Sequence, residues 1–135
     1  MIEQISNPQL RFSAMPKPEP PELLLPDAAS WSKWLEANHE TSPGVHLVLH
    51  KSGGQVTALT YDAAVEEALC FGWIDGRASS RDEGSWRVRM TPRQPRSNWS
   101  ERNVGRVERL EREGRMREPG RAAVDAAKSD GRWPQ

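Results

Sequence analysis

The sequence predicts an α+β fold: one small domain in which short antiparallel strands and hairpins pack with about four helices. Three observations carry the prediction. In "YDAAVEEAL" the apolar residues recur at i, i+3, i+4, i+7 and i+8, which is helical spacing. In "SWRVRM" they alternate with period two, which is strand spacing. The 135 residues contain no internal repeat and suit one hydrophobic core rather than two.

The elements follow in order. Residues 1–21 read as a proline-rich tether, because Pro16, Pro18, Pro20 and Pro21 forbid helix and favour extended chain; Leu10 and Phe12 are candidates for an edge strand. The domain proper begins at residue 22 with "ELLLP", a short apolar strand. Asp27 then caps a helix in which Trp31, Trp34, Leu35 and Asn38 share one face. "SPG" breaks it. "VHLVLH" at 45–50 is a strand, "KSGG" a turn, and Val56 to Leu59 a returning strand. Thr60 caps a helix from Tyr61 to about Phe71, stopped by Gly72. "WIDGRA" and "SWRVRM" form a hairpin across "SSRDEG". A charged helix is expected from Ser97 or Asn98 to Glu113, with Trp99, Asn103, Val107 and Leu110 as its inward stripe. Pro119 opens a last helix that ends near Gly131.

Composition narrows the class of protein. The apolar fraction is 36% and the mean hydropathy −0.79, so the domain is polar, and six tryptophans supply much of its apolar area. One cysteine leaves no internal disulfide and fits a reducing compartment. The first fifteen residues lack the basic flank and apolar run of a signal peptide, and eighteen consecutive apolar residues occur nowhere. The net charge of zero conceals a division. Residues 1–76 hold four Lys/Arg against ten Asp/Glu, whereas residues 77–121 hold thirteen arginines, no lysine and seven Asp/Glu. An arginine-only block offers planar donor forks suited to carboxylate or phosphate. The plainer reading pairs that block with the acidic first half.

Candidate site residues centre on "ALCFGWIDG" and the segment after it. Strict alternation puts Trp73, Asp75 and Arg77 on one face of their strand, and the hairpin lets Arg87 and Arg89 share it. There Asp75 would orient a guanidinium and Trp73 would provide a stacking wall. Arg93 and Arg96 would close the rim, with Asn98, Trp99 and the first helical amides alongside. The competing reading leaves Trp73 in the core and Asp75 at a turn. Cys70 is the only candidate thiol nucleophile, yet it falls in the last turn of a helix beside Glu66 and Glu67, which disfavours a thiolate. No metal or cofactor is expected: four residues of strand place His46 and His50 about 13 Å apart, too far to share a zinc ion. The arginines of "SERNVGRVERLEREGR" alternate with glutamates, as on a self-paired solvated surface, so nucleic-acid binding is the weaker alternative.

The motifs "WSKWLEANH", "ALCFGWIDGR", "RMTPRQPRSNWSERN", "RVERLEREGRM" and "PGRAAVDAAKSDGRW" resemble, in that order, the YdeI/OmpD-associated bacterial proteins, also called bacteriocin-protection proteins. The resemblance runs from about residue 22 to residue 133. Members of that group usually continue beyond the "DGRW" element, which Pro134 and Gln135 follow here. It implies a part in resistance to bacteriocins or cationic antimicrobial peptides and an association with a porin, and it assigns no catalytic residue. Without a signal peptide, a cytoplasmic location is expected. The resulting expectation is a binding module for an anionic small molecule or an acidic protein surface. A nucleic-acid binder and a small enzyme using Cys70 or Asp75 are the alternatives.

Overall fold

A computed structural model describes residues 19–134. The expected tether up to residue 18, with Leu10 and Phe12, lies outside the described residues. The elements are β1 (Glu22–Leu23), α1 (Ala28–Asn38), β2 (Val45–His50), α2 (Tyr61–Cys70), β3 (Trp73–Ser80), β4 (Ser85–Pro92), α3 (Glu101–Arg112) and α4 (Glu118–Ser129). The class is α+β: among the described residues, a four-stranded sheet in the order β1-β2-β4-β3 with four helices.

Local chemistry accounts for most element ends. Asp27 accepts from the Ser30 amide at 2.9 Å, Thr60 from Ala63 at 3.2 Å and Ser100 from Asn103 at 3.1 Å, so three helices begin on a side-chain cap. Gly72 ends α2 with φ +77°, a backbone state that side chains with a Cβ rarely adopt. β2, α2 and the β3–β4 hairpin lie where apolar periodicity places them.

Three expectations need correction. The sheet is mixed, because β1 pairs in parallel with β2, placing Glu22 opposite His46 and Leu23 opposite Leu47. β1 is only two residues long, hemmed in by Pro21 and Pro26. Val56 to Leu59 is not a strand, since both edges of β2 are already taken by β1 and β4. That segment instead ties to the 25–26 turn: Ala58 N–H donates to Pro26 O at 2.8 Å, and the Thr57 hydroxyl donates to Leu25 O. The charged helix starts at Glu101, so Ser97, Asn98 and Trp99 belong to the preceding loop.

One sheet face carries the core. β2–β4 register places Val45 opposite Met90, Leu47 opposite Val88 and Leu49 opposite Trp86. These side chains pack with Trp31, Leu35, Val65, Leu69, Val107, Leu110 and Val124 from the four helices. Trp31 stacks on Trp34 at 5.5 Å and meets Trp73 edge-on at 6.3 Å, and its indole N–H donates to Ala64 O at 3.0 Å.

Candidate functional site

The hairpin does not gather the predicted residues on one side. Asp75 lies opposite Met90, on the helix-covered face, and Trp73 is 1% exposed within the core. Arg87 and Arg89 point to the other face, opposite Val48 and His46 of β2. The register of β3 shifts between Asp75 and Ala78, which lies opposite Val88. Gly76 and Arg77 therefore share the position opposite Arg89, as in a β-bulge. That extra residue brings Arg77 to the outer face, away from Trp73 and Asp75. The single face expected from alternation is thus divided: arginines outside, indole and carboxylate inside.

On the inner side Asp75 orients no guanidinium directly. Its Oδ2 accepts the Tyr61 hydroxyl at 2.6 Å, and the Tyr61 ring stacks on Trp86 at 6.0 Å. Burial, with Asp75 beside it, pushes the Tyr61 hydroxyl up to about 12, so the phenol holds its proton and keeps donating. Arg93 lies over Trp99 at 3.7 Å and donates to Ser97 Oγ at 2.8 Å and Asn98 O at 3.0 Å. Burial lowers its pKa to about 10, and Arg132, which donates to Ser97 O at 2.7 Å, adds like-charge repulsion. Arg93, Arg132 and Trp99 thus clamp the loop ahead of α3. Asn98 takes part through its backbone carbonyl, and the helical amides expected near Ser97 and Asn98 start only after Ser100. Arg96 lines a shallow cleft of about 550 Å³ with Gln94, Pro95 and Ser97, apart from Arg77 and Arg89.

The outer face holds the more enclosed basin, about 390 Å³, lined by Glu19, His46, Arg77, Ser79 and Arg89. The His46 ring is held by Glu19, with Nε2 3.1 Å from Oε1. Arg87 donates to Ser79 Oγ at 3.0 Å and pairs with Glu22 at 3.4 Å; Arg81 also pairs with Glu22, at 2.8 Å. Among the described residues, Arg77 and Arg89 form no ion pair. Sequence reasoning missed Glu19, His46 and Ser79. The alternation of "VHLVLH" carried the signal, since it sets His46 opposite in direction to Leu47 and Leu49.

The other candidates fare differently. Cys70 is 1% exposed, and burial first, then Glu67, pushes its thiol up to about 11. The thiol therefore keeps its proton at pH 7. We expect the folded protein to react with a disulfide reagent far more slowly than the unfolded chain, at a rate that climbs with pH. Rapid stoichiometric labelling of native protein at pH 7 would contradict the buried placement. Two of the four α3 arginines are engaged by carboxylates: Arg106 with Asp62 at 2.8 Å, and Arg109 with Glu66 and with Glu113 at 3.2 Å. Arg115 beyond it meets Glu67 at 2.9 Å and Glu113 at 3.1 Å. Glu113 apart, the partners are Asp62, Glu66 and Glu67 of α2, so the basic segment pairs here with the acidic first half. Among the described residues Glu101, Glu108 and Glu111 form no ion pair with the arginines they alternate with. Among the described residues no three His, Cys, Asp or Glu side chains converge as metal ligands, and no helix is long and apolar enough to cross a membrane.

No curated protein and no solved structure matches the chain significantly. A family model does match residues 23–123, from β1 through the first turns of α4 and so across the whole sheet. The chain therefore belongs to the family described as a domain of unknown function, DUF8412.

Proposed function

We propose that this protein is a binding module whose outer sheet face takes an anionic ligand. One observation carries the reading: Arg77, Arg89, His46 and Ser79 converge on a single basin of about 390 Å³. Two guanidiniums over one basin repel each other, and an anion with two or more acceptor oxygens relieves that repulsion while satisfying both forks. The bulge at Gly76 and Arg77 supports the reading, because bulges re-aim side chains at sites. The backbone beneath Arg77, Ser79, His46 and Arg89 is paired sheet, which fixes where these side chains leave the chain. We place the module in the cytoplasm. Through its resemblance to the YdeI/OmpD-associated proteins, we assign it an indirect part in resistance to bacteriocins or cationic antimicrobial peptides. An arginine basin does not attract a cationic peptide, which is why the part is indirect.

Calorimetric titration with phosphate and citrate tests the basin. Charged hydrogen bonds of about 1.5–3 kcal/mol imply that Arg77→Gln or Arg89→Gln weakens binding roughly tenfold or more. Both side chains are exposed, so the thermal midpoint of the free protein should stay close to wild type. Binding should also weaken as salt is raised. The proposal fails if neither anion binds, or if the double variant binds as well as wild type.

A further inference from the structure

The outer face already holds one acidic, extended segment: its own. Residues Glu19, Pro20, Pro21 and Glu22 run along the β2 edge of the sheet and turn two carboxylates onto that face. Glu22 sits in register with His46 and reaches Arg81 at 2.8 Å and Arg87 at 3.4 Å. Glu19 reaches His46 at 3.1 Å, and between them the Pro21 carbonyl accepts the His46 backbone N–H at 2.8 Å. The two prolines fix φ and restrict the segment to extended chain, so little conformational entropy is lost in laying it down. The two contacts differ in strength. Glu22 bridges two guanidiniums that are each about three-quarters covered or slightly less, and these hold its carboxyl below the usual glutamate range. Glu19 makes one contact from a side chain that is 82% exposed. It is the replaceable carboxylate, and it stands at the rim of the basin that Arg77 and Arg89 line.

We infer that the basin recognises an acidic, extended peptide of a partner protein, and that Glu19 is the intramolecular carboxylate this peptide displaces. The inference rests on the anion-binding reading above and adds the ligand's class and its regulation. The partner's carboxylate enters among Arg77, Arg89 and Ser79, while Glu22 stays bound to Arg81 and Arg87 and keeps β1 on the sheet edge. A tethered competitor acts at high effective concentration, so Glu19 lowers the affinity for any acidic peptide.

The test is fluorescence anisotropy with the full chain. The probes are a labelled peptide of repeated Glu-Pro-Pro-Glu, the same peptide with every Glu replaced by Gln, and unlabelled inorganic phosphate as competitor. The acidic peptide should bind wild type, and the Gln peptide should not. Glu19→Gln should tighten acidic-peptide binding by roughly threefold, the scale on which one exposed carboxylate acts on a neighbouring charge. Arg77→Gln/Arg89→Gln should abolish it, with Arg89→Gln alone as a milder variant should the double one fold poorly by circular dichroism. If phosphate binds through Arg77 and Arg89 but the acidic peptide binds no tighter than phosphate, the anion-binding reading stands and this inference is overturned. If neither binds, both are overturned. An acidic peptide that binds the arginine variants as well as wild type, or that gains nothing from Glu19→Gln, also overturns it.

Discussion

Trp31→Ala is expected to destabilise the protein by about 3–5 kcal/mol, the usual cost of removing a large buried aromatic side chain. Trp31 is fully buried, it contacts Trp34 and Trp73 in stacked and edge-on geometry, and its N–H is satisfied by Ala64 O. The substitution removes apolar contact and aromatic geometry together and leaves a cavity between α1, α2 and β3. Domains of this size hold roughly 5–15 kcal/mol in total, so about a fifth or more of the stability is at stake. The thermal midpoint should fall by roughly 10–20 °C by circular dichroism. Trp34→Ala, at a half-buried position, should cost clearly less. A loss at Trp31 below about 1 kcal/mol, the scale of an ordinary surface change, would contradict this account of the core.

Gly120→Ala sets two effects in opposition. Helix propensity alone favours alanine over glycine by about 1 kcal/mol. Sterics oppose it more strongly: a Cβ at Gly120 would lie 2.3 Å from Cys70 O, 2.6 Å from Leu69 O and 2.7 Å from Cys70 C. These are backbone atoms, so no rotamer change removes the clash. The first turn of α4 must back away from the end of α2, straining the Arg117 N–H bond to Cys70 O, now 3.1 Å. Overpacking commonly costs about 1–3 kcal/mol and more where backbone blocks relaxation, so the net sign is destabilising. Gly105→Ala in α3 is the control, because nothing lies within 4 Å of the added methyl and propensity alone should stabilise it. Chemical denaturation of both variants reads the signs directly. Stabilisation by Gly120→Ala would mean that α4 does not approach α2 this closely.

Much of the fold was legible because it is written in short-range patterns. The Thr60 cap, the 3.6-residue periodicity and Gly72 bound α2 from both ends, and the alternation of "SWRVRM" identifies β4. Even the core face of β4, with Trp86, Val88 and Met90, follows from period two. The candidate site was less legible, and Arg77 shows why. Counting alternate residues from Trp73 assigns it to the wrong face, because one bulged residue inverts the phase of everything after it. Nothing local to "WIDGRA" marks the bulge apart from Gly76. Likewise the helix expected from Ser97 or Asn98 is capped by Ser100 instead, with Trp99 and Arg93 packed together in the loop before it.

By itself, then, the chain determined its mixed helix-and-strand class, most element positions and an arginine-rich middle segment, since these depend on spacing over a turn or two. Tertiary structure alone decided which arginines meet: a bulge sent Arg77 outward to join Arg89 and His46, and the parallel β1 brought Glu19 and Glu22 onto the same face. Both depend on contacts between residues far apart in sequence, where pairing register sets direction and local spacing carries no record of it.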